Sequence, residues 1–241
     1  MSFKYYFVKY LNIISVVFLL IIIFIYQRNT LSAEETLIHA FRTTYNERIF
    51  LALYVTVYLV SLFPLLKLVF QTEYVVRIST KWRFFEMLCK KIFFIAFLYS
   101  LLLSFGWYAI VGSGIQDFIT KRYVLYIICI FLGQLIGWIE IGMIEVYLYI
   151  LIQNLPLSFI ISDALLIGMN LSLYISHNEH VLQYTRLYDF MFYPEEIGDL
   201  YKILSNGFFH IAILSLLFLT SYEFIKRHDY IMGGKREHAN S

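Results

Sequence analysis

Six stretches of the chain are apolar almost without interruption: Val8 to Tyr26, Ile49 to Phe70, Ile92 to Val111, Tyr123 to Ile152, Leu155 to Ile175 and Phe208 to Ile225. A helix that crosses about 30 Å of hydrocarbon needs about 20 mostly apolar residues. The runs lack the period-two alternation of a membrane barrel strand. The pattern therefore predicts an all-α integral membrane helical bundle with six transmembrane helices. Residues 1–225 read as one six-span domain and residues 226–241 as a basic cytoplasmic tail. The fourth stretch is too long for one simple span and carries Glu140 and Glu145 toward its far end, so it is expected to break or bend near Glu140.

The links between the stretches differ in character. Gln27 to Arg48 is polar, Gln71 to Lys91 is strongly basic, and Gly112 to Arg122 is short and glycine-rich. Gln153, Asn154 and Pro156 spell a tight turn. Ser176 to Asn206 is long and mixed, and its run from Tyr188 to Pro194 is too apolar for a free loop. Re-entrant or interfacial helices on the outer face explain that run. The first stretch follows Lys4 and Lys9 as a secretion signal would, but Gln27, Arg28, Asn29 and Thr30 come next in place of a small-residue cleavage site. It reads as a retained first helix.

Composition and charge sharpen this picture. The 241 residues are 60% hydrophobic and 15% charged, against about 45–50% and about 25% in soluble domains. Six spans with the N-terminus inside place twelve of the 19 lysines and arginines on the inner side. That excess orients both termini toward the cytoplasm of a cell membrane. Cys89 and Cys129 stand alone in the sequence and read as small thiols without a disulfide.

Candidate chemistry is sparse. Basic and aromatic residues interleave in Arg77-Ile-Ser-Thr-Lys81-Trp82-Arg83-Phe84-Phe85-Glu86-Met87. On a helix Trp82 and Phe85 share one face, with Arg77, Lys81 and Lys90 nearer the other, which is the signature of a short amphipathic helix at an interface. That segment is either an ordinary positive-inside anchor or a helix that docks a cytosolic subunit. Glu140, Glu145 and Asp163 are carboxylates in or near the membrane. Counted at 1.5 Å per residue from Tyr123, Glu140 falls near the inner boundary, so a structural or docking role at the interface competes with a polar cavity. A proton relay at mid-depth has only Asp163 and His210 as candidates, each more simply a satisfied polar residue of a helix bundle. Gly133 and Gly137 form a GxxxG pair, for packing inside the chain or for a homodimer seam. His177 and His180 have helix-turn spacing but no third ligand, so no metal is assigned. GxxxxGK[ST], HExxH and GxSxG are all missing; no ATP site, no catalytic residue and no nucleic-acid partner is expected of this chain.

The arrangement resembles the permease subunit of bacterial ABC transporters of the type-2, exporter-like family. Three features carry the resemblance: six spans with cytosolic ends, the basic helix from Arg77 to Arg83 between the second and third spans, and the long outer link before the last span. The resemblance implies a coupling helix containing Arg77, Lys81, Trp82, Arg83, Phe85 and Glu86, with outer helices from His177 to Leu200 capping the path. It also implies a second permease copy or paralogue and a cytosolic ATPase subunit that binds the ATP, so this chain needs no cofactor of its own. Its cargo would be peptides or other amphiphilic, antimicrobial compounds. The alternative is a stand-alone membrane immunity or sensor protein without an ATPase.

Overall fold

The computed structural model describes residues 17, 20–25, 28–29, 44–45, 50–69, 80–110, 121–175, 187–192 and 200–227. Every element among them is helical. A π-helical turn, Phe50–Val55, leads into α1 (Thr56–Val69); α2 spans Lys81–Leu101 and continues through a π-helical segment, Leu102–Gly106, into α3 (Trp107–Ile110). The others are α4 (Lys121–Ile152), α5 (Leu155–Ile175), the short α6 (Leu187–Phe192) and α7 (Leu200–Arg227). Three helical stretches are long and apolar enough to cross a membrane: Lys81–Ile110, Tyr126–Ile152 and Ser205–Arg227. Shorter apolar helical stretches lie at Leu53–Pro64 and Leu155–Gly168. Most of the expected first stretch, the outer-link residues 176–186 and 193–199, and the tail from residue 228 fall outside the described residues.

Two expectations change. The fourth stretch does not break: α4 runs through Glu140 and Glu145 as one helix of 32 residues. It contains no proline, and both carboxyl groups find partners inside the bundle, so nothing drives a kink there. The basic–aromatic segment, from Lys81 onward, is the opening of α2 itself and not a separate short helix. Thr80 starts it as N-cap, its hydroxyl accepting from the Arg83 N–H at 3.3 Å.

The order of contacts gives the topology. Ile92 meets Gly142, Tyr99 meets Trp138 and Phe105 meets Phe131, so α2 and its π segment run antiparallel to α4. Phe85 and Trp82 reach Phe218 and Tyr222, which sets α2 antiparallel to α7 as well. The pairs Glu140–His210 and Tyr147–Phe224 make α4 and α7 parallel. After α4 the chain returns as α5 in the opposite sense, through a turn closed by Gln153, which holds φ 55° and donates its N–H to the Tyr149 carbonyl at 2.8 Å. Asn154 Oδ1 then caps α5 by accepting from the Leu157 N–H at 3.2 Å.

Aromatic residues fill the centre. Trp107, Trp138, Tyr45, Tyr54 and Tyr58 are all buried. Tyr58 packs on Trp138 at 4.8 Å and donates to the Trp138 carbonyl at 2.6 Å. Each π-helical segment draws on this cluster. Widening the turn takes carbonyls out of the regular i→i+4 ladder. A tyrosine hydroxyl donates to a carbonyl in each segment: Tyr99 to Tyr54 O at 3.0 Å, and Tyr45 to Leu103 O at 2.5 Å. The Ser100 and Ser104 hydroxyls bond back to Ala96 O and Ser100 O, which loosens the helix at the same place.

Candidate functional site

Helix α4 carries the two carboxylates that are buried among the described residues, Glu140 and Glu145. Residues five apart on a helix point about 140° from one another, so Glu140 and Glu145 face different neighbours. Glu140 turns toward α7, where its Oε2 lies 3.0 Å from His210 Nδ1. Both side chains are almost wholly buried. Glu145 turns toward α5, where the Ser158 hydroxyl donates at 2.7 Å and the Ser162 hydroxyl at 2.5 Å. Ser158 and Ser162 are four residues apart, so one face of α5 presents both. Asp163, the next residue, hydrogen-bonds the Thr56 side chain of α1 and is only partly buried. Both carboxylates, Glu140 and Glu145, are thus buried among helices of the bundle.

Further polar side chains are enclosed around this seam. Gln134, Asn206 and the Nε2 atom of His210 are buried without a hydrogen-bond partner among the described residues. Gln134 lies eleven residues, close to three turns, before Glu145 and shares its face of α4. Asn206 lies one turn before His210 on α7.

The short helix α6 closes the seam on one side. Its Phe190 ring stacks on His210 with centroids 4.4 Å apart. Its backbone sits in a notch cut by Gly133 and Gly137. A Cβ at Gly133 would stand 2.7 Å from the Phe190 carbonyl oxygen, and one at Gly137 would stand 2.4 Å from Met191 Sδ. The GxxxG pair therefore serves close packing within the chain. Phe192 stacks on Tyr45 at 4.9 Å, and the Tyr188 hydroxyl donates to the Tyr45 carbonyl, which ties α6 to the aromatic centre.

The sequence candidates at the basic end are brought together differently. Lys81 Nζ donates to the Lys226 carbonyl at 2.6 Å. A cation at the last carbonyls of a helix is favourable with the helix dipole, so the start of α2 caps the end of α7. Trp82 packs edge-on against Tyr222 at 5.1 Å while staying half exposed. Phe85 is buried against Phe218 and Tyr222. Arg83 is exposed. Lys90 Nζ bonds Glu86 at 2.6 Å, an exposed pair one helical turn apart. Arg77 lies outside the described residues, as do His177 and His180. No group of three His, Cys, Asp or Glu comes together for a metal among the described residues.

Sequence reading missed Ser158, Ser162, Gln134 and Asn206, and named His210 without its partner. The available signal was polar residues four apart inside apolar runs, Ser158 with Ser162 and Asn206 with His210. No protein-family model, no curated protein and no solved structure matches the chain.

The two serines carry a prediction. Replacing Ser158 and Ser162 together with alanine leaves the Glu145 carboxyl buried without its donors. A hydrogen bond to a charged group contributes about 1.5–3 kcal/mol, so the double variant is expected to lose roughly 3 kcal/mol, with each single variant losing about half. Denaturant titration in detergent micelles measures it. An unchanged midpoint means that these hydroxyls do not hold Glu145.

Proposed function

We propose that the chain is a multi-pass cell-membrane protein with six spans and both termini cytoplasmic. In this reading it is the permease subunit of an ATP-driven exporter of the type-2 ABC kind, moving peptides or other amphiphilic compounds. The alternating directions of α1, α2, α4, α5 and α7 support the span count, with the apolar stretch from Val8 to Tyr26 as the remaining pass. The observation that carries the partner reading is the joined cationic end. Lys81 caps the end of α7, where Lys226 and Arg227 pair with Glu223 at 3.6 and 3.8 Å, and Arg83 and the half-exposed Trp82 belong to the same opening turn of α2. Such a platform on the cytosolic side offers cations and an aromatic ring to a subunit that holds the ATP.

The expected result is that tagged protein brings down a Walker-motif subunit from its native membranes. Lys81→Glu with Arg83→Glu should weaken that association roughly tenfold or more, since like charge placed against a complementary patch costs more than about 1.4 kcal/mol. Capture of a Walker subunit that survives both reversals would move the docking site elsewhere. The second reading, a stand-alone immunity or sensor protein, is favoured by one observation: among the described residues α2 opens directly at Lys81, with no separate short helix of the kind that coupling is expected to use. It gains if no ATPase is captured and the charge-reversed protein still works.

A further inference from the structure

We propose that Nε2 of His210 is a buried proton-binding site, with Glu140 holding the ring. The proposal does not depend on the transport reading. Four observations carry it. First, Nδ1 is committed to Glu140 Oε2 at 3.0 Å. When Nδ1–H donates to the carboxylate, the neutral ring keeps a lone pair on Nε2. Second, that Nε2 is enclosed and has no partner, in a side chain that is 1% exposed. Third, the Asn206 carboxamide, also 1% exposed, has neither of its polar atoms satisfied. Asn206 precedes His210 by four residues on one face of α7, and a helical side chain leans back over the turn before it. An amide presents a donor and an acceptor. No hydrogen bond joins it to Nε2 among the described residues, so a turn of its side-chain torsions would have to bring its donor to the lone pair or its oxygen to Nε2–H. Fourth, Phe190 lies nearly parallel to the imidazole, 23° between planes, and an aromatic face favours a cation against it. A proton also adds no volume, so it suits a site packed this closely.

The charged surroundings are simple among the described residues. From α4, Glu140 meets the ring. From α6, Phe190 stacks on it; the same short helix also carries Asp189 and the apolar Met191. On α7 itself the neighbouring Phe209 stands edge-on to it. Helix α2 meets α7 through Lys81, Trp82 and Phe85, at Phe218, Tyr222 and Lys226, two or more turns along. Glu145 is engaged with α5. The balance is one proton taken by the Nε2 lone pair, which converts a neutral imidazole beside a carboxylate into an imidazolium–carboxylate pair joining α7 to α4.

The test is solid-state NMR on the full chain in lipid bilayers with 15N-labelled histidine. Of the six histidines, the His210 signals are identified by their loss in His210→Gln. As pH falls from about 9 to about 5, the histidine range, Nε2 is expected to change from a lone-pair nitrogen to an N–H nitrogen, while Nδ1 keeps its proton throughout. Glu140→Gln should displace the pH of that change, and Glu145→Gln, facing α5, should leave it in place. A ring whose Nε2 carries its proton, or keeps its lone pair, across the whole range overturns the proposal. A change at Nε2 that is untouched by Glu140→Gln overturns it as well.

Discussion

Replacing His210 with leucine is expected to cost about 3 kcal/mol or more. The Glu140 carboxyl would remain inside the bundle with its partner gone, and an unpaired buried charge is the most expensive group a fold can hold. Within a membrane the same group has no water to retreat to. Glu140→Leu alone should cost less, because the imidazole left behind can stay neutral. The double variant, Glu140→Leu with His210→Leu, should recover most of the loss, since two apolar side chains of similar size replace a pair whose desolvation offsets its attraction. Unfolding free energies in bicelles, arranged as a double-mutant cycle, measure this. Two single losses that simply add would mean that Glu140 and His210 act independently.

The second large effect separates two glycines that look alike in sequence. Alanine in place of glycine inside a helix gains about 1 kcal/mol from backbone propensity. At Gly133 the new Cβ meets the Phe190 carbonyl oxygen at 2.7 Å, and backbone in a packed helix cannot step aside. Overpacking of that kind costs about 1–3 kcal/mol, so Gly133→Ala is expected to destabilise despite its propensity gain and to lift α6 from its notch. At Gly137 the obstruction is the buried Met191 side chain, whose Sδ and Cγ would stand 2.4 and 2.5 Å away; it has more torsional freedom than backbone but must shift. Gly137→Ala should therefore cost less than Gly133→Ala. Met191→Cys, placed in a background with Cys89 and Cys129 replaced by serine, reads the position of α6. Its reaction with a bulky thiol reagent should quicken roughly tenfold with Gly133→Ala, as about 1.4 kcal/mol of lost docking implies. Equal rates in the two glycine variants would mean that α6 does not rest on Gly133.

Much of the architecture is legible in the sequence, because a long apolar run has few ways to satisfy its backbone other than a helix. The fifth stretch begins and ends at the residues that hydropathy marks, Leu155 and Ile175. The asparagine and proline of its turn also announce themselves. What hydropathy does not show is direction around a helix. It places Glu140 by depth along α4, whereas the surroundings of that carboxyl depend on which neighbour its face meets, and the neighbour, α7, comes 70 residues later in the chain. For the same reason Glu145 gives no hint of Ser158 and Ser162. The expected break follows from treating the two carboxylates as a reason to leave the membrane; each has buried partners, and the helix continues unbroken through both. The segment from Arg77 illustrates a different limit. Its basic–aromatic alternation marks an amphipathic helix, but amphipathicity does not say whether a helix ends before the next apolar run. Thr80 as N-cap and the uninterrupted helix from Lys81 to Leu101 decide that it does not.

The six-span reading depends most directly on which side of a membrane each end of the bundle lies. The decisive measurement is labelling by a membrane-impermeant thiol reagent on intact cells, with Cys89 and Cys129 replaced by serine and single cysteines introduced by Arg83→Cys, Gln153→Cys, Arg227→Cys and Lys121→Cys. Positions 83, 153 and 227 are predicted to react only after the membrane is opened, while position 121 reacts in intact cells. Reaction of 83 and 227 from outside, or of 83 and 121 from the same side, would contradict the six-span reading.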